Sequence, residues 1–141
     1  MGRDDMLRGT GMGGAEELEL YFHIPFCIRK CHYCDFLSAP ADEDTKIRYM
    51  EALLAETAGS APIYAGYSVT SVFIGGGTPS TVPVGRIEEL METVRGHYRL
   101  ERDAEVTMEV NPGTVGPEAL VRLRAVGVNR LSIGLQSADD K

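Results

Sequence analysis

From residue 17 the chain reads Glu-Leu-Glu-Leu-Tyr-Phe-His-Ile, an alternation that turns apolar as it proceeds, which is the pattern of a strand entering a core. Pro25 has no amide hydrogen to give and is expected to end the ladder. Asp42 or Asp44 can then cap a helix that carries Ile47, Met50, Leu53 and Leu54 on one face and stops before Gly59 and Pro62. The cycle repeats, with Ser71 to Ile74 as a short apolar strand, Gly75-Gly76-Gly77 as its break and Val84 to Tyr98 as a helix. A third round follows. Glu105 to Val110 alternates, Asn111-Pro112-Gly113 turns, Pro117 to Val126 forms a helix closed by Gly127, and Arg130 to Leu135 is a fourth strand. Helices between successive strands require parallel pairing, so the fold class is α/β, as an open sheet or a barrel.

Residues 1–16 show no periodic apolar pattern, and five of the first fourteen are glycine, so this stretch is expected to be a disordered leader. At the other end Ser137-Ala138-Asp139-Asp140 looks like the cap and acidic first turn of another helix. Residues 17–141 are therefore expected to be the N-terminal portion of a larger domain, cut at its C-terminal side. The 14 basic and 21 acidic residues leave a net charge of −7, which repels nucleic-acid phosphates and anionic lipid. No apolar run approaches the ~20 residues of a membrane-spanning helix, and no secretory signal is present, so a cytoplasmic location is the expectation.

Chemistry concentrates in one loop. Cys27, Cys31 and Cys34 form a Cys-x3-Cys-x2-Cys motif directly after the first strand, an odd and crowded set that makes a poor disulfide framework. Thiolates at these offsets can curl around one compact centre such as an iron–sulfur cluster. Three ligands leave the fourth iron of a cube open to a substrate or cofactor. Structural zinc, with His23 or His32 as a fourth ligand, is the alternative. His23 within its strand reads most simply as a hydrogen-bonded residue, and His97 as a favourable charge at a helix C-terminus.

Gly75, Gly76 and Gly77 precede Thr78 at the end of the second strand, where bare backbone could approach a ligand and offer amide hydrogens unobstructed by side chains. The segment is neither a Walker loop nor a dinucleotide fingerprint. Glu109 and Gln136 are polar groups at later strand ends. In parallel α/β folds, ligands bind at the C-terminal ends of the strands, which would gather cysteines, glycines, Glu109 and Gln136 on one side.

Taken in order, Tyr21-Phe-His-Ile-Pro-Phe-Cys27 through Cys34-Asp-Phe36, Gly-Gly-Gly-Thr-Pro-Ser, Glu-Val-Asn-Pro-Gly and Asn129-Arg-Leu-Ser-Ile-Gly-Leu-Gln136-Ser resemble the radical S-adenosylmethionine superfamily. Within it they are most similar to the oxygen-independent coproporphyrinogen III oxidase group and its heme-chaperone branch. The resemblance implies a partial (β/α)6 TIM-like barrel of which this chain holds about four units. It also implies that Cys27, Cys31 and Cys34 bind a 4Fe-4S cluster whose open iron chelates S-adenosylmethionine. Gly76, Gly77 and Thr78 match positions that contact the methionyl part of that cofactor, Glu109 and Gln136 positions that bind its polar groups, Tyr33 the aromatic position beside its adenine, and Tyr21 a further cofactor-site position. An electron donor would reduce the cluster, which cleaves the sulfonium to a 5′-deoxyadenosyl radical. Phe36 stands where the oxidases continue with another cysteine, which points to the chaperone branch, whose members bind heme and pass it to acceptor proteins. The alternative is oxidation of coproporphyrinogen III.

Overall fold

The structure, a computed structural model, describes residues 14–27 and 41–134. Four strands alternate with three helices in the order β1 (Glu16–Ile24), α1 (Glu43–Ser60), β2 (Tyr67–Gly76), α2 (Val84–His97), β3 (Arg99–Val110), α3 (Pro117–Ala125) and β4 (Arg130–Ile133). All pair in parallel, in the sequential order β1-β2-β3-β4. Leu135, the last residue expected in β4, lies outside the described residues.

Of the two candidate caps, Asp42 starts α1, its carboxylate accepting from the Thr45 amide at 2.7 Å. Met50 is buried on the face that this helix turns to the sheet, and Leu53 and Leu54 pack partly beside it. α3 closes as expected at Gly127, whose φ of +108° a residue with a side chain rarely adopts. His97 near the end of α2 bonds the Thr93 carbonyl at 3.0 Å.

Two strands run longer than their hydrophobic patterns suggest. β2 begins at Tyr67 and continues into the glycine run, while β3 begins at Arg99, because Ser68 and Val69 supply backbone partners to Arg99 and Leu100. Pro25 ends β1 but not the contact with β2. The Gly77 amide donates to the Ile24 carbonyl at 2.9 Å and the Thr78 amide to the Phe26 carbonyl at 2.5 Å, bonds that need only the carbonyls flanking the proline.

Side chains alternate between the two faces of this sheet. One face carries Phe22 and Ile24, Val72 and Ile74, and Val106, Met108 and Val110, which cluster with Met50, Ile87, Leu90, Met91, Val94 and Leu123 of the helices. The other carries Tyr21, Phe73, Thr107 and Arg130 in one register layer, with His23 beside Gly75 and Glu109 beside Ser132 in the next. Helix residues thus join the core through a single face. A doubly wound sheet places helices on both faces and reverses its strand order, so sequential strands with one helical side are the arrangement of a barrel wall.

Asn129 fixes β4 to β3. Its Oδ1 accepts from the Val106 amide at 2.8 Å and its Nδ2 donates to the Ala104 carbonyl at 2.9 Å, so the side chain continues the ladder where backbone is lacking. Asn129→Ala is expected to lower stability by about 1–3 kcal/mol, since it strands a donor and an acceptor of β3. Denaturant unfolding of parent and variant measures this, and coincident midpoints would contradict it.

Candidate functional site

The C-terminal ends of β1, β2 and β3 converge on one region. β1 delivers Tyr21, His23 and, beyond Phe26, the half-buried Cys27; β2 delivers Gly75 to Thr78; β3 delivers Glu109 and Asn111. Cys31, Tyr33, Cys34, His32 and Gln136 lie outside the described residues.

The glycines are required by the protein's own packing. A Cβ on Gly75 would stand 2.6 Å from Glu109 Oε1, one on Gly76 2.8 Å from the Ile24 carbonyl oxygen, and one on Gly77 2.5 Å from the Phe26 carbonyl oxygen. Gly76 also holds a φ of +120°. Of the glycine amides expected to stand clear of side chains, that of Gly77 is bonded to the Ile24 carbonyl, and the Thr78 amide after it to the Phe26 carbonyl. The close approach serves first to place Phe26, and with it Cys27.

Bare backbone at Gly75 also makes room for a carboxylate. Glu109 reaches across β2, where burial pushes its pKa above the ordinary carboxylate value and nearby His23 only partly opposes that shift. The Tyr21 hydroxyl lies 3.2 Å from His23 Nδ1, and its ring stacks on Phe73 at 5.8 Å between centroids. Burial, and secondly the Glu109 charge, raise the Tyr21 pKa. Tyr21 nevertheless remains 58% exposed, so its ring is open to a ligand. The geometry therefore brings together Tyr21, His23 and Glu109 beside Gly75 and Gly76, with Glu109 as the carboxylate able to accept from a cationic group.

Two features escaped sequence reasoning. Tyr49 of α1 donates its hydroxyl to the His23 carbonyl and meets Phe26 edge-on at 5.2 Å, bracing the segment that leads to Cys27. Asn111 Nδ2 donates to Thr78 Oγ1 at 3.1 Å, while Thr114 Oγ1 bonds both the Asn111 carbonyl at 2.6 Å and Ser80 Oγ at 2.5 Å. This lattice ties the loop after β2 to the loop after β3. Polar residues following two consecutive strand ends were its only trace in the sequence.

Known proteins resemble this chain over most of its length. The Radical SAM superfamily model matches residues 21–141. "Heme chaperone HemW" of Escherichia coli (strain K12) is 43% identical over 125 residues, covering 88% of this chain and 33% of the relative. "Heme chaperone HemW" of Mycobacterium tuberculosis (strain ATCC 25618 / H37Rv) is 40% identical over 121 residues, 84% of this chain and 31% of the relative. "Oxygen-independent coproporphyrinogen III oxidase" of E. coli (strain K12) is 35% identical over 136 residues, 96% and 30% respectively. The solved structure of coproporphyrinogen III oxidase (HemN) from E. coli, described as a radical SAM enzyme, superposes with a TM-score of 0.82 at 35% identity, over 89% of this chain and 29% of that one. The chain thus spans about a third of the length of these relatives, and its four parallel strands, alternating with three helices, match part of a radical SAM TIM-like barrel.

Gly77→Ala is expected to destabilise the fold by about 1–3 kcal/mol, because the clash is with Phe26 backbone that no rotamer change relieves. An unchanged unfolding midpoint would contradict the close approach. Glu109→Gln is expected to stabilise the ligand-free chain at pH 7. The raised pKa means that the parent's stability falls as pH rises through the titration of this carboxyl, whereas the amide carries no charge to bury. The gain should vanish toward pH 4, and a variant less stable than the parent at both pH values would refute it.

Proposed function

The chain belongs to the radical SAM superfamily, and on that premise we propose that it is the cofactor-holding part of a HemW-like heme chaperone, which binds heme and passes it to acceptor proteins. The observation that carries this reading is the identity of 43% to the E. coli chaperone against 35% to the E. coli oxidase. Phe36, in place of a further cysteine, supports it. Radical oxidation of coproporphyrinogen III is the second reading, favoured by the TM-score of 0.82 to HemN.

The residues fit the family's cofactors. Cys27, Cys31 and Cys34 would hold the 4Fe-4S cluster, with Cys27 positioned through the Thr78–Phe26 backbone bond. The Glu109 carboxylate, half-buried and only partly compensated by His23, is suited to an ammonium group of S-adenosylmethionine. A donor of that kind would meet the carbonyl side of Gly76 and Gly77, since the Gly77 and Thr78 amides are engaged. Tyr21 offers an exposed ring and a hydroxyl, while Tyr33 and Gln136 complete the proposed cofactor set. When bound and reduced, the cluster supplies the electron that cleaves the sulfonium of S-adenosylmethionine. The polypeptide's part is to bind, orient and shield.

Among the described residues no helix is long and apolar enough to cross a membrane. Cytoplasmic residence, an electron-donor protein and a heme-accepting protein belong to the proposal.

Anaerobic iron–sulfide reconstitution followed by EPR of the reduced protein tests the cofactor reading. A 4Fe-4S signal that changes on adding S-adenosylmethionine is expected, and Cys27→Ala should abolish it. Stoichiometric zinc loading, or a cluster indifferent to S-adenosylmethionine, would overturn this assignment. Heme transfer without coproporphyrinogen turnover selects the chaperone, and turnover selects the oxidase.

A further inference from the structure

β1 stands at the end of the strand order, so its outer edge faces no other strand among the described residues. Successive carbonyls along a strand point to opposite sides. The Ile24 carbonyl turns toward β2 and accepts from the Gly77 amide, which sends the His23 carbonyl outward to the open edge. A carbonyl at such an edge, partly shielded from water, costs free energy unless a side chain supplies the missing donor.

Tyr49 supplies it. Its hydroxyl, from the second turn of α1, donates to the His23 carbonyl, and its ring meets that of the buried Phe26 edge-on at 5.2 Å. Burial, and secondly the charge of Glu56, raise the Tyr49 pKa, so the hydroxyl keeps the proton that it donates.

The stretch gripped in this way carries two kinds of group. Tyr21 and His23 stand on the face where Glu109 crosses β2, and Cys27 directly follows Phe26. On the β2 side the stretch is held by the Gly77 and Thr78 amides, which bond the Ile24 and Phe26 carbonyls. Tyr49 holds it from the helix layer, at the two residues that flank Ile24 and Pro25. A turn held from both sides keeps Cys27 at a fixed place relative to Tyr21 and His23.

We propose that Tyr49 is a positioning residue for the cofactor chemistry: by holding His23 and Phe26 it sets Cys27, as a cluster ligand, against the Tyr21, His23 and Glu109 side chains that would receive S-adenosylmethionine. The inference rests on the cofactor reading given above. In it α1, which carries none of the proposed ligands, governs how strongly the cluster and S-adenosylmethionine sense each other.

The test compares Tyr49→Phe with Tyr98→Phe in the reconstituted holoprotein. Tyr98 is the matched control, since its hydroxyl also donates to a backbone carbonyl, that of Thr57 at 2.9 Å, about two turns farther along α1. Each variant keeps its ring and loses one tyrosine–carbonyl bond, so Tyr98→Phe measures what lost stability does by itself. Tyr49→Phe should weaken the S-adenosylmethionine-dependent EPR change, the concentration for half effect rising about fivefold at an iron content equal to the parent's. In the metal-free protein it should also speed hydrogen exchange of the Gly77 and Thr78 amides, which Tyr98→Phe leaves as in the parent. An S-adenosylmethionine response equal to the parent's in Tyr49→Phe overturns the inference and leaves the cofactor reading standing, as does unchanged exchange at both amides. Equal weakening by Tyr98→Phe overturns it by reducing the effect to lost stability. Loss of iron from Tyr49→Phe overturns it by making the residue a support of cluster binding alone. A parent cluster indifferent to S-adenosylmethionine overturns the cofactor reading and this inference with it.

Discussion

The backbone of residues 75–77 lies closer to its neighbours than any side chain would permit, and the placement of the surrounding groups depends on that approach. Without a Cβ at Gly77, two consecutive amides reach the carbonyls of Ile24 and Phe26 and carry the β1 contact past Pro25 to the first cysteine. Without a Cβ at Gly75, the Glu109 carboxylate can cross β2 toward His23. One short stretch of bare backbone therefore sets both the position of Cys27 and that of the Glu109 carboxylate.

The sheet divides its work between two faces. Phe22, Ile74 and Met108 pair across it and join the helices in one apolar layer, while Tyr21, Phe73 and Thr107 occupy the other face one residue earlier on each strand. Because the side-chain period is two, a slip of one residue would send Glu109 into the apolar layer and Met108 out of it. Core packing and site geometry are thereby secured by the same register.

The elements were legible in the sequence wherever a residue's own chemistry decided the outcome. The Asp42 cap, the buried Met50 and the Gly127 stop are of this kind. Strand starts were not, since Arg99 is in β3 only because Ser68 lies opposite it. Alternation of strand and helix established the α/β class but left sheet and barrel equally open, a choice made by strand order and helix side. At the site, Tyr21 and His23 could be placed on one face from their spacing, whereas the meeting of Glu109 with Gly75 depends on pairing between strands distant in the chain. The engagement of the Gly77 amide was hidden for the same reason: nothing local says which carbonyls will pass beside it. Cysteine spacing alone admits iron or zinc, and it is the ordered set of motifs that favours iron.

The lattice of Thr78, Ser80, Asn111 and Thr114 has a thermodynamic consequence. Loops that must be immobilised by their ligand forfeit part of the interaction energy as lost conformational entropy. Here the connections after β2 and β3 are already cross-linked to each other by hydroxyl and amide groups. A ligand arriving at this rim meets backbone whose ordering was completed during folding, so its affinity can reflect contact chemistry with little deduction for stiffening these two loops.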